Sequence, residues 1–325
     1  MHQASAQLPF QLAQLLIALA NQGVSDIHLE AQEKQYVVRE RLLGSLRQHD
    51  IIPRHIGEQW VAALKNAAGA DVTQRRTAQD GRFNITYNQL ALDCRFSVLP
   101  TLWGEKVVLR LFNQHSQALP LSELGLLPEQ YQQAVQALQA RHGLILVTGP
   151  TGSGKTRTLY AMLEHINHAT INISTVEDPI EIPLTGINQT AVRQNGLMRF
   201  ADCLRALLRQ DPDVIMVGEI RDAETAQMTV QAAQTGHLVL ATLHASHAMA
   251  ALVRLQQLGV SHAQIAGALT LLVNQRLIVL GNKRTGVFDF NVVDAQAQQV
   301  LLSSPHNSDY WQRTAELLKP VHIDP

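Results

Sequence analysis

Apolar and polar positions follow different rhythms in the two halves of the chain. Residues 8–22 place Leu12, Leu15, Leu16 and Leu19 at helical spacing and predict an amphipathic helix. Residues 25–30 alternate polar and apolar, as a half-buried strand does. Residues 36–41 and 43–49 predict a hairpin turning near Leu43 and Gly44. Residues 60–68 predict a helix with Trp60, Val61 and Leu64 on its apolar side. Strand-like runs follow at 82–87, 90–99 and 106–112, so residues 1–112 predict a smaller α+β domain. The polar stretch 113–120, ending in Pro120, predicts a linker. From 121 to 325 the pattern changes. Short apolar runs at 144–148, 171–176, 213–218 and 237–243 alternate with helical segments, which predicts an α/β domain on a mainly parallel sheet. Sheets of that kind bind ligands at the carboxyl ends of their strands. The last 30 residues read as helix.

Composition narrows the class. A length of 325 residues predicts two domains, and 46% hydrophobic residues suffice for ordinary cores. Lys and Arg number 26 against 27 Asp and Glu, for a net charge of −1, which argues against a nucleic-acid binder. No apolar run approaches the ~20 residues of a membrane span, so direct membrane insertion is not expected. The N-terminus has no cationic lead with an unbroken apolar stretch, so no signal peptide is expected. The two cysteines, Cys94 and Cys203, are far apart and exclude a disulfide framework and a cysteine-rich zinc site. A cytoplasmic chain is the expectation.

One segment carries specific chemistry. Gly149-Pro-Thr-Gly-Ser-Gly-Lys-Thr156 fits G-x-x-x-x-G-K-[ST], preceded by an apolar strand and followed by helical spacing of Leu159, Met162, Leu163 and Ile166. Glycines let backbone N–H groups converge on an anion, and the helix start adds partial positive charge. Gly149, Pro150, Thr151, Gly152, Ser153, Gly154, Lys155, Thr156 and the following Arg157 are therefore candidates to bind ATP. Lys155 would reach the β- and γ-phosphates, and Thr156 would ligate Mg²⁺.

Acids stand where such a site needs them. Glu177, after an apolar strand, could polarise the attacking water, or Asp178 could support Mg²⁺ through its waters; a capped Asp-Pro turn is the plain alternative. Glu219 ends the apolar run 214–217 and would face Mg²⁺ or its water shell, or else pair with Arg221. His244 stands at one end of a third strand, where it could donate to a γ-phosphate, and His237 at its start. Arg82, Arg95 and Arg110 lie on strands of the first domain. An arginine there could neutralise charge on a phosphate or be an exposed strand residue.

Several segments occurring in order carry a resemblance. They are Ser25-Asp-Ile-His-Leu-Glu30, Gln79-Asp-Gly-Arg82, Gly104-Glu-Lys-Val-Val-Leu-Arg110, the glycine loop, Val176-Glu-Asp-Pro-Ile-Glu181, Gly186-Ile-Asn-Gln189, the stretch from Leu207 to Asp222, Thr235-Gly-His-Leu-Val239 and Thr242-Leu-His244. Over residues 23–293 the chain resembles the secretion ATPases of type II secretion and type IV pilus assembly. The resemblance implies a PAS-like N-terminal domain, a RecA-like ATPase domain and a cytoplasmic homo-hexamer. It also implies docking on an inner-membrane platform protein with a cytoplasmic adaptor. By the same resemblance Gly149 to Thr156 is the Walker A motif, Glu177 the general-base candidate and Glu219 the Walker B carboxylate. His237 with His244 forms a histidine box, and Arg82 and Arg95 match arginines that reach a nucleotide.

Two departures stand out. No cysteine follows the Asn274-Gln-Arg-Leu277 segment, so the tetracysteine zinc module of assembly-type members is expected to be absent. The N-terminus is short, so the adaptor-binding domain is expected to be missing or reduced. Retraction-type members also lack zinc, but the segments 104–108 and 284–288 look more like the assembly branch. A RecA-type nucleic-acid translocase and a non-hydrolysing ATP-binding scaffold are the remaining alternatives.

Overall fold

Two units make up the chain, residues 1–117 around one apolar core and residues 118–325 around two, one on each face of its sheet. The structure is a computed structural model and describes residues 8–87, 90–113, 117–192, 199–281, 283–302 and Thr314.

The first unit runs α1 (Phe10–Asn21), β1 (Asp26–Ala31), β2 (Gln35–Leu42), β3 (Ser45–Pro53), α2 (Arg54–Ala67), β4 (Gln79–Tyr87), β5 (Leu90–Thr101) and β6 (Gly104–Asn113). Among the described residues these strands form an antiparallel sheet in the order β3-β2-β1-β6-β5-β4. Alternation sorts its faces. Ile27, Leu29, Phe83, Phe96 and Leu109 join Leu12 and Leu16 of α1 and Trp60 and Leu64 of α2 in the core. The opposite face is charged. Its register sets Arg82 opposite Arg95, Arg95 opposite Arg110 and Arg110 opposite Asp26. Like charges in cross-strand pairs repel. Acids and a ring offset this: Arg82 Nε donates to Asp93 Oδ1 at 2.6 Å, Arg110 Nε lies 2.9 Å from Asp26 Oδ1, and the Arg95 guanidinium sits 4.4 Å from the centre of the Phe112 ring.

The second unit runs α3 (Pro128–Leu138), β7 (Gly143–Thr148), α4 (Lys155–Ile166), β8 (Ile173–Glu177), β9 (Asn188–Ala191), α5 (Phe200–Leu207), β10 (Val214–Val217), α6 (Ala223–Gln234), β11 (Leu238–Leu243), α7 (Ala248–Gln257), α8 (His262–Ala268), β12 (Leu269–Leu280), β13 (Lys283–Val292) and α9 (Ala295–Leu302). The sheet order among the described residues is β13-β12-β7-β11-β10-β8-β9, parallel throughout except for the β12–β13 pair. Strands β7, β8, β10 and β11 are buried at every position, as strands covered on both faces must be. Leu146, Val176, Val217 and Ala241 face a core shared with α5 to α8, while Ile145, Val147, Met216 and Leu240 face one shared with α3 and α4.

The hydrophobic pattern did not separate β12 from a helix. Its apolar residues run on directly from α8, and β13 then pairs with it as a hairpin. Short β9 was also absent from the expectation. Of the last 30 residues, α9 covers the first part, and beyond residue 302 all but Thr314 lie outside the described residues, as do 114–116 of the expected linker. Among the described residues no helix is long and apolar enough to cross a membrane.

Candidate functional site

The carboxyl edge of the parallel sheet carries the chemistry. Strand β7 ends at Thr148, whose hydroxyl donates to Val273 O at 3.2 Å and accepts from Asn274 Nδ2 at 3.0 Å. These bonds tie the entry of the glycine loop to β12. Gly149 has φ 144°, and a Cβ there would lie 2.1 Å from the Gln275 carbonyl oxygen, so a side chain has no room. Gly154, left-handed at φ 87°, starts α4, and no side chain caps that start. The first-turn N–H groups are therefore left to the loop's interior. Beneath the loop, the Thr158 hydroxyl donates to Gln275 Oε1 at 2.7 Å.

Two side chains in this loop call for an anion. Lys155, only 7% exposed, donates from Nζ to the carbonyls of Gly149 and Pro150, both at 2.9 Å. Burial pushes its pKa down, with Glu219 opposing that. The Ser153 hydroxyl, also buried, has no hydrogen-bond partner among the described residues. Amides, an ammonium and an orphan hydroxyl fit a phosphate chain. Thr156 and Glu219 supply a hydroxyl and a carboxylate, the oxygen donors a hard cation such as Mg²⁺ takes.

A row of charged groups leads away from Lys155 across the strand ends. Lys155 Nζ lies 3.4 Å from His244 Nδ1, and His244 Nε2 lies 3.0 Å from Glu219 Oε1. These contacts assign the His244 proton to Nε2, with Nδ1 accepting. Glu219 Oε2 lies 2.9 Å from Arg221 Nη2, and Arg221 Nη1 lies 3.4 Å from Asp178 Oδ2. Of the two readings of Glu219, the pairing with Arg221 is present, and the same carboxylate also meets His244, which touches the loop lysine. Gly218 fits the close approach of β8, donating from its N–H to Val176 O at 2.8 Å.

Glu177 lies deeper, at 2% exposure. Its Oε1 accepts from Thr175 Oγ1 at 2.6 Å and Gln189 Nε2 at 3.0 Å, and its Oε2 accepts from the Tyr160 hydroxyl. Burial pushes the carboxyl pKa up, and the three donors pull against it.

The structure separates the two histidines expected to act together. His244 follows β11 at the loop edge, whereas His237 precedes it at the opposite edge. A strand of that length separates them by about 20 Å at ~3.3 Å per residue. His237 Nδ1 instead lies 3.1 Å from Ala232 O, and its ring lines a cavity of about 780 Å³ with Arg141, His165, His168, Asp211 and Asp213. The reading of His237 as a loop-site residue is corrected on that ground. Arg82 and Arg95 belong to the first unit, held by Asp93 and Phe112 as described above.

The residues that hold the site were not foreseen as such. Tyr160 lies in the predicted helix but outside its stripe of Leu159, Met162, Leu163 and Ile166, and Gln189 and Gln275 read as polar residues within quoted motifs. The one available signal was a polar group inside an otherwise apolar run, which demands a partner once buried.

Comparison with known proteins places the chain in one group. A family model described as type II/IV secretion system protein matches residues 3–315. The chain is 48% identical over 277 residues to "Protein transport protein HofB homolog" of Escherichia coli (strain K12), covering 85% of this chain and 59% of that protein. It is 46% identical over 264 residues to "Type IV pilus assembly ATPase PilB" of Pseudomonas aeruginosa, covering 81% of this chain and 47% of that protein. The chain thus spans about half the length of the curated relatives it matches. A crystal structure of the pilus retraction motor PilT with bound ADP aligns at a TM-score of 0.68 and 28% identity, over 91% of this chain and 86% of that one. The architecture is that of the RecA-like secretion ATPases, and the chain belongs to the type II/IV secretion system protein family.

Proposed function

We propose that this chain is an ATP-hydrolysing motor subunit, Mg²⁺-dependent, that powers assembly of a type IV pilus or a type II secretion pseudopilus. The observation that carries the reading is the contact row Lys155–His244–Glu219 beside the glycine loop. In this reading the amides at residues 149–156 bind the phosphates and Lys155 exchanges two carbonyl acceptors for phosphate oxygens. Thr156 and, partly through water, Glu219 hold Mg²⁺, which supplies charge neutralisation on the phosphates. His244 keeps Lys155 and Glu219 in register, and with nucleotide bound its Nε2–H turns from Glu219 to the developing charge. Glu177 takes the proton of the attacking water, its burial raising its basicity towards the range useful near neutral pH. Arg82 and Arg95 contribute positive charge to a nucleotide in a homo-hexamer. The machine's inner-membrane platform and cytoplasmic adaptor are the partners, so the chain works at the cytoplasmic face of that membrane, without nucleic acid. Similarity to an assembly ATPase at 46% identity supports assembly; similarity to a retraction motor at 28% keeps retraction as the second reading.

Phosphate release by wild type, Lys155→Ala and Glu219→Ala tests hydrolysis directly. The wild type should turn over only with Mg²⁺, and both variants should fall to background. Equal slow release by all three, with nucleotide still bound, would favour a scaffold. Stimulation by single-stranded DNA would favour a translocase. Cells lacking the gene should be bald for assembly and hyperpiliated for retraction.

A further inference from the structure

Among the described residues, Glu177 Oε1 receives two donors, Thr175 and Gln189, and Oε2 is left to the Tyr160 hydroxyl. Tyr160 sits on α4, the helix that begins at Lys155, and is fully buried. Its oxygen also accepts the Glu181 N–H at 3.1 Å, so one phenol joins three parts of the site: the loop helix, the carboxylate and the chain leaving β8. A phenylalanine ring would fill the same space without needing a partner. The hydroxyl is therefore accounted for by the carboxylate it donates to and the Glu181 N–H it accepts, not by the space the ring fills.

We propose that Tyr160 is a positioning residue for Glu177, its hydroxyl fixing the orientation of Oε2 relative to the helix that carries Lys155. The proposal rests on the reading that Glu177 accepts the proton of the attacking water. Its consequence is selective. The loop amides and Lys155 do not depend on the phenol, so nucleotide capture should survive its loss while turnover does not. Gln189 braces the same carboxylate from β9, donating also to Ile182 O at 3.1 Å and accepting the Leu184 N–H at 2.7 Å. The cage thus has a fixed wall on the Oε1 side and a helix-borne one on the Oε2 side.

The test is a double-mutant cycle on the full chain with Mg²⁺ and ATP. Single-turnover phosphate release and fluorescent-nucleotide binding are measured for wild type, Tyr160→Phe, Glu177→Gln and the double variant. Tyr160→Phe should lower kcat about tenfold, the loss expected for one buried hydrogen bond, while KM and nucleotide affinity stay within about twofold. The double variant should be no slower than Glu177→Gln alone. Wild-type turnover in Tyr160→Phe, or the same tenfold loss repeated on top of Glu177→Gln, would overturn the positioning role. If Glu177→Gln turns over like wild type, the reading of Glu177 as base fails first and the proposal falls with it. Should Tyr160→Phe not fold, 3-fluorotyrosine at position 160 keeps the ring and hydroxyl and strengthens the donor. A changed kcat at unchanged affinity supports the proposal, and an unchanged kcat overturns it.

Discussion

The two edges of the parallel sheet in the second unit are built from the same strands and differ in what their ends expose. At the carboxyl edge stand the glycine loop, Lys155, Glu177, Glu219 and His244. At the amino edge stand His237, His165, His168, Arg141, Asp211 and Asp213 around a cavity of about 780 Å³. A cavity of that size thus stands at the edge with no glycine loop. Ring nitrogens and carboxylates occur at both edges. Among the described residues, the loop edge alone adds a helix start uncapped by any side chain, an ammonium turned onto carbonyls and an orphan hydroxyl. Chain direction explains this. In a parallel sheet every strand leaves through the same edge, so the turns into the helices, with their unpaired N–H groups, collect there.

The largest effect that would sharpen this contrast belongs to Lys155. Lys155→Ala should lower turnover by roughly 10³-fold or more, because it removes the charge set against the phosphates. Arg141→Ala at the other edge should leave turnover within about twofold. Steady-state phosphate release measures both, and a comparable loss in Arg141→Ala would break the assignment of edges. Next comes Glu219→Gln, which keeps the shape and removes the charge. It should cost about 10²-fold in kcat and raise the Mg²⁺ concentration needed for half-maximal rate. His244→Ala should cost about tenfold, the scale of one charge-assisted hydrogen bond. If turnover in His244→Ala matched wild type, the link between Lys155 and Glu219 would be incidental.

Lys155 also gives a smaller effect on stability. Burial holds its pKa below the usual 10.5, so as pH rises towards that value the unfolded chain binds more protons than the folded one. Stability should therefore increase with pH in that alkaline range and do so less in Lys155→Met. Thermal midpoints of the two proteins, compared at several pH values without nucleotide, read the difference. Parallel curves would mean that the buried ammonium costs the fold nothing.

How much of this was legible in the sequence depends on whether a signal is local. The loop was legible because its glycines, lysine and threonine lie within eight consecutive residues between a strand and a helix. Glu219 was legible because a carboxylate after four apolar residues needs a reason. The helices and alternating strands of the first unit also followed from periodicity, including the hairpin between β2 and β3. What was hidden depends on register between distant strands. Gln275 meets Gly149 only because β12 runs beside β7, and Tyr160 meets Glu177 only because α4 packs on β7 and β11 with that side chain reaching the end of β8. His237 misled for the complementary reason. A short interval in sequence spans the whole height of a sheet when the residues between are extended.

That residue supplies the smallest effect. His237→Ala should leave kcat and nucleotide affinity within about twofold of wild type, because its ring is a strand's length from the loop. Its contact to Ala232 O closes the end of α6, so a loss of about 1 kcal/mol in stability is the expected change, the scale of a single hydrogen bond. Chemical denaturation separates that from catalysis, since a destabilised but folded variant keeps its specific activity at low temperature. A tenfold fall in kcat with the denaturation midpoint unchanged would show that the amino edge takes part in turnover. The sheet would then have to be treated as transmitting an event between its two ends, with the cavity beside His237 as the place where that event is received.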